Sequence, residues 1–362
     1  MTSYILRRLL LLLPTLLGIT IVTFAVMALS PGGVRSAVNA QEGALDPRAR
    51  VAMQHFLEHK YGLDKPLPVQ YLIWLNKVSP FGKKDPAAGW PANSPIGFKP
   101  CDLGDSIVAR RPVLDMIEES LPTTLLLFAI MLPLTFAISI WSGIAAANRR
   151  GGIADVGGGT VMLGLWSIPQ IWAGVLLIGF LANKQFLHWF PAGGLHDIRA
   201  DEFNFLPSTA PDGFHRGWLL DSAWHLVLPI ICLSYAYFAF TAKLTRGAML
   251  ENISADFVRT ARAKGLSRRV VLYRHILRNA LLPLITHFAM IAPTILSGAL
   301  IVETIFDIPG MGRLGVDAVF DKDPEMVLSI TLVASILGLL SFLIGDIAYA
   351  IADPRVSFED AQ

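Results

Sequence analysis

The chain has 362 residues, of which 53% are apolar and only 16% are charged, and its formal net charge is +2. Soluble domains carry about 25% charged residues, so this composition excludes an ordinary water-soluble protein. A mean hydropathy of +0.53 points the same way. Two cysteines are too few for a disulfide framework, and we expect no disulfide. We also expect no cofactor, no metal ion and no nucleic-acid partner.

The apolar residues are grouped in runs of the length that a membrane helix needs, which is about 20 residues for a bilayer core of roughly 30 Å. The first run, Leu9–Leu29, is longer than the 7–15 apolar residues of a secretory signal. Because Pro31 also disfavours cleavage, we interpret this run as an uncleaved signal anchor. Five further spans are predicted: Leu121–Ala147, Thr160–Ala182, Trp224–Ala242, Ala280–Val302 and Val327–Ile351.

The fold class is therefore an all-α membrane protein with six transmembrane helices. We divide the chain into an N-terminal helix (1–30), an extracytoplasmic segment (31–120), a transmembrane domain (121–355) and a tail (356–362). Prolines such as Pro169 and Pro229 lie inside the spans. In a membrane bundle the neighbouring helices can bond the carbonyls that a proline frees.

Basic residues predict the orientation of the spans. They are concentrated at the N-terminus, at Arg149 and Arg150, and in the loop between the fourth and fifth spans. That loop carries nine basic residues and only two acids, Glu251 and Asp256. Loops rich in lysine and arginine face the cytoplasm, so both termini are predicted to be cytoplasmic.

The basic loop between the fourth and fifth spans has the pattern of two short helices. Ser254 is predicted to cap the first helix, with Asp256 in its first turn. Gly265 ends this helix, and Ser267 is predicted to cap the second. Small residues beside Phe257 would suit a helix that enters a partner's groove. The residues alone leave a second interpretation open, in which the charges only contact anionic lipid headgroups.

Motifs for the common catalytic chemistries are absent from the sequence. There is no phosphate-binding loop of the Gly-x4-Gly-Lys-Ser/Thr type, no Gly-x-Ser-x-Gly elbow and no His-Glu-x-x-His helix,. Ionisable residues in the spans are few. His287 and Asp346 fall in the same half of the membrane, and we predict a structural bond between them or a role in gating. An intramembrane enzyme and an ion- or proton-coupled carrier are the alternatives to a transporter driven by a partner.

Several blocks of sequence resemble one family, the permease subunits of the dipeptide/oligopeptide class of bacterial ABC importers. The resemblance covers nearly the whole chain. The blocks are Tyr4–Gly18, Tyr61–Leu67, Asp102–Ser106, Asp256–Leu266, Arg274–Pro283, Glu303–Phe306, Pro309–Gly312 and Asp353–Arg355. The ending Asp353–Glu359 is similar to the branch that imports microcin-C-like and oligopeptide substrates.

The resemblance implies a mechanism and a set of partners. A second homologous permease completes the pore, cytoplasmic ATP-binding subunits drive it, and an extracytoplasmic binding protein delivers substrate. All act at the bacterial inner membrane, and the permease itself hydrolyses no ATP. The loop 247–279 corresponds to the family's coupling loop. Its ATPase-coupling residues would be Asp256, Phe257, Val258, Arg259, Thr260, Ala261, Arg262, Ala263, Lys264 and Gly265.

Overall fold

A computed structural model of the chain describes residues 2–29, 65–83, 96–210, 213–296 and 299–352. Parts of the predicted extracytoplasmic segment lie outside these residues, among them the Tyr61–Asp64 part of the family resemblance. The predicted C-terminal tail and the Asp353–Arg355 block also lie outside them.

The described part of the chain is mostly helical. The helices are α1 Thr2–Leu29, α2 Leu67–Val78, α3 Val113–Asn148, α4 Ile153–Ser167, α5 Gln170–Leu177, α6 Gly217–Ile253, α7 Asp256–Ala263, α8 Arg268–Val270, α9 Leu277–Leu296, α10 Leu300–Ile305, α11 Met311–Phe320 and α12 Pro324–Ala352. π-Helical segments Ile178–Ala182 and Val271–Ile276 extend α5 and join α8 to α9, and Ala200–Glu202 is a 3-10 turn. Two antiparallel strand pairs are present: β1 Phe81–Lys83 pairs with β2 Ile96–Phe98, and β3 Ser208–Ala210 pairs with β4 Gly213–His215.

Four helices in the described residues are long and apolar enough to cross a bilayer, namely α1, α3, α6 and α12, and the bent pair of α4 and α5 makes a fifth if it counts as one span. α1, α3, α6 and α12 coincide with the predicted first, second, fourth and sixth spans, respectively, and the pair of α4 and α5 coincides with the third. The predicted fifth span falls on α9 and the start of α10, and the count of six stays a prediction. Several helices outrun their predicted spans, because polar residues continue a helix beyond an apolar run: α3 begins at Val113 rather than Leu121, and α6 ends at Ile253 rather than Ala242.

The third predicted span is not straight. α4 ends at Ser167, and the chain turns by 96° before α5. Ile168 is extended, as expected for a residue that precedes proline,. Two side chains of α6 bond the opened backbone: the Tyr235 hydroxyl donates to the Ile168 carbonyl at 2.6 Å, and the Cys232 thiol lies 3.7 Å from the Gln170 carbonyl. The Gln170 amide donates in return to the Cys232 carbonyl at 3.2 Å. A neighbouring helix thus bonds backbone carbonyls on both sides of Pro169.

The chain forms two compact units. The smaller contains the described residues of Leu6–Leu121 and Leu314–Leu339. In it, α1 and α2 meet through Thr20 and Tyr71, whose hydroxyls lie 2.9 Å apart. Two buried acids near the start of α12 hold the segment after β2: Asp323 accepts from the Ser106 hydroxyl at 2.6 Å, and Glu325 accepts from the Asp105 N–H at 3.0 Å. Both carboxylates are thus internal hydrogen-bond acceptors and not charges exposed on a loop.

The larger unit contains the described residues of Met1–Ile5, Pro122–Arg313 and Leu340–Gln362. One apolar cluster joins α3, α6 and α10 through buried residues that include Leu127, Met131, Leu228, Val302 and Phe306. A second cluster joins the end of α3 and the end of α6 to α7 and the π-helical segment before α9. This second cluster is the base on which the predicted coupling loop rests.

Candidate coupling site

The first helix of the predicted coupling loop is α7, which follows α6 after only two residues. Ala255, with an extended backbone, occupies the N-cap position, and Asp256 begins the helix. The predicted cap at Ser254 is wrong, because the Ser254 hydroxyl donates back to the Glu251 carbonyl at 2.9 Å. Serine side chains often bond a carbonyl of the preceding turn, and here that bond belongs to the end of α6. Asp256 lies in the first turn of α7 as predicted.

α7 is amphipathic, with a narrow buried side. Val258 is fully buried and Ala261 nearly so, and both pack into the second apolar cluster against Met249 and Val271. The other side of the helix faces outward: the side chains of Asp256 and Arg259 are 95% and 77% exposed. Their ion pair, at 3.5 Å, adds little stability at such exposure,. Phe257 remains 39% exposed beside these charges.

Gly265 ends α7 with a Schellman turn. The N–H of Gly265 donates to the Arg262 carbonyl at 2.9 Å, and the N–H of Leu266 donates to the Ala261 carbonyl at 3.4 Å,. Gly265 has a φ of +74°, a conformation that glycine adopts without steric cost,. A Cβ at this position would meet no atom within 4 Å. The glycine is therefore required by backbone conformation and not by lack of space.

This geometry predicts different outcomes for two substitutions at Gly265. Valine costs about 1–2 kcal/mol in the left-handed region, whereas asparagine is several-fold enriched there. We expect Gly265→Val to lower substrate uptake strongly and Gly265→Asn to retain most of it, with both proteins inserted in the membrane. Uptake per inserted chain, quantified by immunoblot, is the measurement. Equal loss in both variants would assign the requirement to side-chain size.

The chain returns to the membrane through α8. Ser267 stands at the predicted N-cap position, but its side chain makes no capping hydrogen bond. Arg268 instead ties this turn to the end of α3, because its guanidinium donates to the Asn148 side-chain oxygen at 2.6 Å. A cleft of about 440 Å³ lies behind α7, with Arg262, Leu266 and Val271 among its lining residues. The two predicted short helices are thus present, and the second continues through the π-helical segment into α9.

The predicted pair of His287 and Asp346 is not formed through the histidine Nε2 atom. That nitrogen is buried and has no hydrogen-bond partner among the residues that the structure describes. The ring lies beside the rings of Phe240 and Phe136, at centroid distances of 4.7 and 6.2 Å. The surroundings of His287 are thus largely aromatic. A structural or gating role for the two residues stays a prediction.

Two polar clusters of the larger unit were missed by sequence reasoning. In one, Arg246 forms a two-pronged ion pair with the buried Asp155. In the other, the fully buried Glu303 accepts hydrogen bonds from Thr124 and from two backbone N–H groups. The first pair is separated by 91 residues and the Thr124 bond by 179. The only sequence signals were an acid in a basic connection for Asp155 and a block of family resemblance for Glu303.

Comparison with known protein families identifies the family to which the chain belongs. Residues 139–358 match the family described as binding-protein-dependent transport system inner membrane component, and residues 1–128 match the N-terminal region of the same type of component. The chain belongs to this family. The permease is therefore a multi-pass membrane protein of a binding-protein-dependent transport system, and α7 lies within the matched region.

Curated relatives match the permease over nearly its whole length. The oligopeptide transport system permease protein AppB of Bacillus subtilis is 37% identical over 360 residues, covering 99% of this chain and 100% of the relative. The di/tripeptide transport system permease protein DppB of Pseudomonas aeruginosa is 37% identical, covering 98% and 99%. The dipeptide transport system permease protein DppB of Escherichia coli is 34% identical, covering 98% and 99%.

Proposed function

We propose that this permease forms one half of the pore of an ATP-driven importer for peptides or peptide-like compounds. The full-length similarity to permeases of oligopeptide, di/tripeptide and dipeptide transport systems supports the substrate class. The permease works with a second homologous permease, cytoplasmic ATP-binding subunits and an extracytoplasmic binding protein. Six spans, an extracytoplasmic segment at 31–120 and cytoplasmic termini in the bacterial inner membrane complete the proposal.

α7 is the proposed contact with the ATPase. The observation that carries this assignment is that one side of the helix is buried in the permease and the other side is exposed. Val258 and Ala261 anchor the helix in its own unit, while Phe257, Arg259 and the rest of the outward side are accessible to a partner. An aromatic side chain surrounded by charged groups is typical of a protein interface. The proposed coupling segment is Asp256–Gly265. Only short connections join this segment to α6 and α8, so a displacement of the segment by the ATPase would be passed on to the membrane helices.

The proposed division of labour places ATP hydrolysis outside this chain. The sequence has no phosphate-binding loop,. We expect the purified permease alone to hydrolyse no ATP in detergent or in liposomes. Measurable hydrolysis that withstands removal of contaminating ATPases would contradict this part of the proposal.

Reconstitution tests the whole assignment. Proteoliposomes that contain this permease, the second permease and the ATPase subunits are expected to import peptides when binding protein is added outside and ATP is enclosed with the ATPase. Mass spectrometry of the lumen after incubation with mixed di- to hexapeptides, sugars and free amino acids identifies the imported class. Import of peptides only in the complete, ATP-loaded system supports the proposal, and import driven by a proton or sodium gradient without ATP overturns it.

A further inference from the structure

α4 and α6 lie side by side and are joined at both ends by polar contacts. At one end the Tyr235 hydroxyl and the Gln170 amide fasten α6 to the bend after α4. At the other end Arg246 of α6 forms an ion pair with Asp155 in the first turn of α4. The two attachment points are 13 residues apart on α4 and 11 on α6, or about 16–20 Å of helix at about 1.5 Å per residue. Because these lengths are similar, the two helices can run alongside each other between the two attachment points.

The Asp155 carboxylate is held in place by several hydrogen bonds. It is 3% exposed, accepts both Nε and an Nη of Arg246, and accepts the Gly151 N–H at 2.9 Å. A two-pronged arginine–carboxylate contact fixes orientation as well as distance. The negative charge in the first turn is also favourable to the N-terminal end of α4.

The contact between α4 and α6 near this pair is not a close-packed apolar seam. A cavity of about 530 Å³ borders the pair, and its lining includes Trp141, Gly159 and Lys243. A Cβ added at Gly158 or Gly159 would meet no atom within 4 Å. Beside this cavity, the Asp155–Arg246 pair is a direct side-chain link between the start of α4 and α6.

α6 connects this link directly to the coupling site. Arg246 lies seven residues before Ile253, where α6 ends, and only Ser254 and Ala255 separate α6 from α7. α6 is helical without a break from Arg246 through Gly247 to Ile253. From Cys232 to Arg246 it contains neither glycine nor proline, so no sharp kink is expected between the two attachment points. A displacement of α7 therefore moves Arg246, and through Asp155 it moves α4 and the bend that follows.

We propose that the Asp155–Arg246 pair is a positioning element that carries the movement of α7 to the α4–α5 bend. The inference rests on the proposed function, because it presumes that an ATPase drives α7. Neither residue touches substrate or nucleotide in this role. Loss of the pair leaves the ATPase docked and hydrolysing ATP but lowers the amount of peptide moved per ATP.

The experiment compares Asp155→Asn, Arg246→Gln, the double variant and the conservative Arg246→Lys in proteoliposomes of the complete complex. We expect each single neutral variant to lower peptide imported per ATP hydrolysed about tenfold, within the 5–150-fold range of ordinary coupling free energies. The double variant should be no worse than either single one, since residues of one unit are non-additive, and Arg246→Lys should recover part of the ratio. Thr160→Val, whose hydroxyl donates to the Val156 carbonyl within α4, is the matched control and should leave the ratio unchanged.

The outcomes separate this inference from the proposed function. If the unaltered complex imports peptide with ATP and the variants keep its normal import-to-hydrolysis ratio, the pair has no coupling role, whatever the yield of folded complex. Additive losses in the double variant would also overturn the inference. If the unaltered complex imports no peptide, the proposed function itself is wrong.

Discussion

Replacing Phe257 by aspartate is expected to abolish peptide uptake by separating the permease from its ATPase. Burying a phenylalanine side chain contributes about 1.5–3 kcal/mol, and an interface hot spot is worth at least about 2 kcal/mol, or roughly 30-fold in affinity. Phe257 is only half-buried in the permease itself, so the substitution changes the outward side of α7 more than its core. Co-purification of ATPase subunits with the tagged permease, together with uptake, measures the effect.

The control for Phe257→Asp is the same change at an exposed phenylalanine outside α7. Phe320, at the end of α11, is 80% exposed, and Phe320→Asp should leave ATPase binding intact. Retention of a full complement of ATPase by the Phe257→Asp protein would exclude Phe257 from the interface.

Replacing Glu303 by alanine is expected to destabilise the larger unit severely. The carboxylate accepts from the Thr124 hydroxyl at 2.8 Å, the Ala299 N–H at 3.1 Å and the Arg313 N–H at 3.0 Å. Thr124 in turn accepts from the Met311 N–H at 2.8 Å. A stranded buried donor costs about 1–3 kcal/mol. The buried Ala299 N–H carries that cost, and the part-buried Arg313 N–H adds a smaller one.

Thermal unfolding of the purified permease in detergent, followed by tryptophan fluorescence, measures this effect. Glu303→Gln should fall between alanine and the unaltered protein, because its amide keeps the volume but replaces one acceptor by a donor that faces an N–H group. Glu118→Gln, at an exposed position on α3, should leave the midpoint unchanged. An unchanged midpoint in Glu303→Ala would contradict the structural role of this carboxylate.

Glu303 also explains a block of sequence that had been noticed only as a resemblance. Gly312 lies so close to Leu300 that a Cβ would approach the Leu300 Cα to 2.6 Å and a Glu303 carboxylate oxygen to 3.0 Å. The absence of a side chain at Gly312 lets the start of α11 pass directly over α10, where the Arg313 N–H donates to Glu303 and the Met311 N–H donates to Thr124. The acid and the glycine are thus parts of one turn, and neither can be understood from its own position in the sequence.

Local signals predicted the coupling segment well. The acid at Asp256 and the glycine at Gly265 mark the start and end of α7, because both act on the backbone within one turn. The prediction for Ser254 was wrong because its side chain had two possible local partners. It could accept from an N–H of α7 as an N-cap or donate to a carbonyl at the end of α6, and it does the latter. Apolar length also located four of the predicted spans, and the third as a bent pair of helices, although polar residues extend several helices beyond the apolar runs.

Contacts between distant residues were beyond sequence reasoning. The bend after Ser167 depends on a hydroxyl that lies 67 residues away, and the partner of Asp155 lies 91 residues away. A proline in the third predicted span indicated a disturbance there, but its angle depends on the bonds that α6 supplies. The burial of Asp323 and Glu325 was equally beyond prediction, because their partners Ser106 and Asp105 lie more than 200 residues away.

Photo-crosslinking from α7 tests the central claim, that an ATPase works this permease through α7. Thr260 lies on the exposed side of α7, and the chain has one partly accessible cysteine, Cys101, and one buried cysteine, Cys232. A benzophenone attached to Thr260→Cys in a Cys101→Ser background should form an adduct of the permease with an ATPase subunit in transport-active membranes. Crosslinks only to lipid, in a complex that still imports peptide, would contradict the claim.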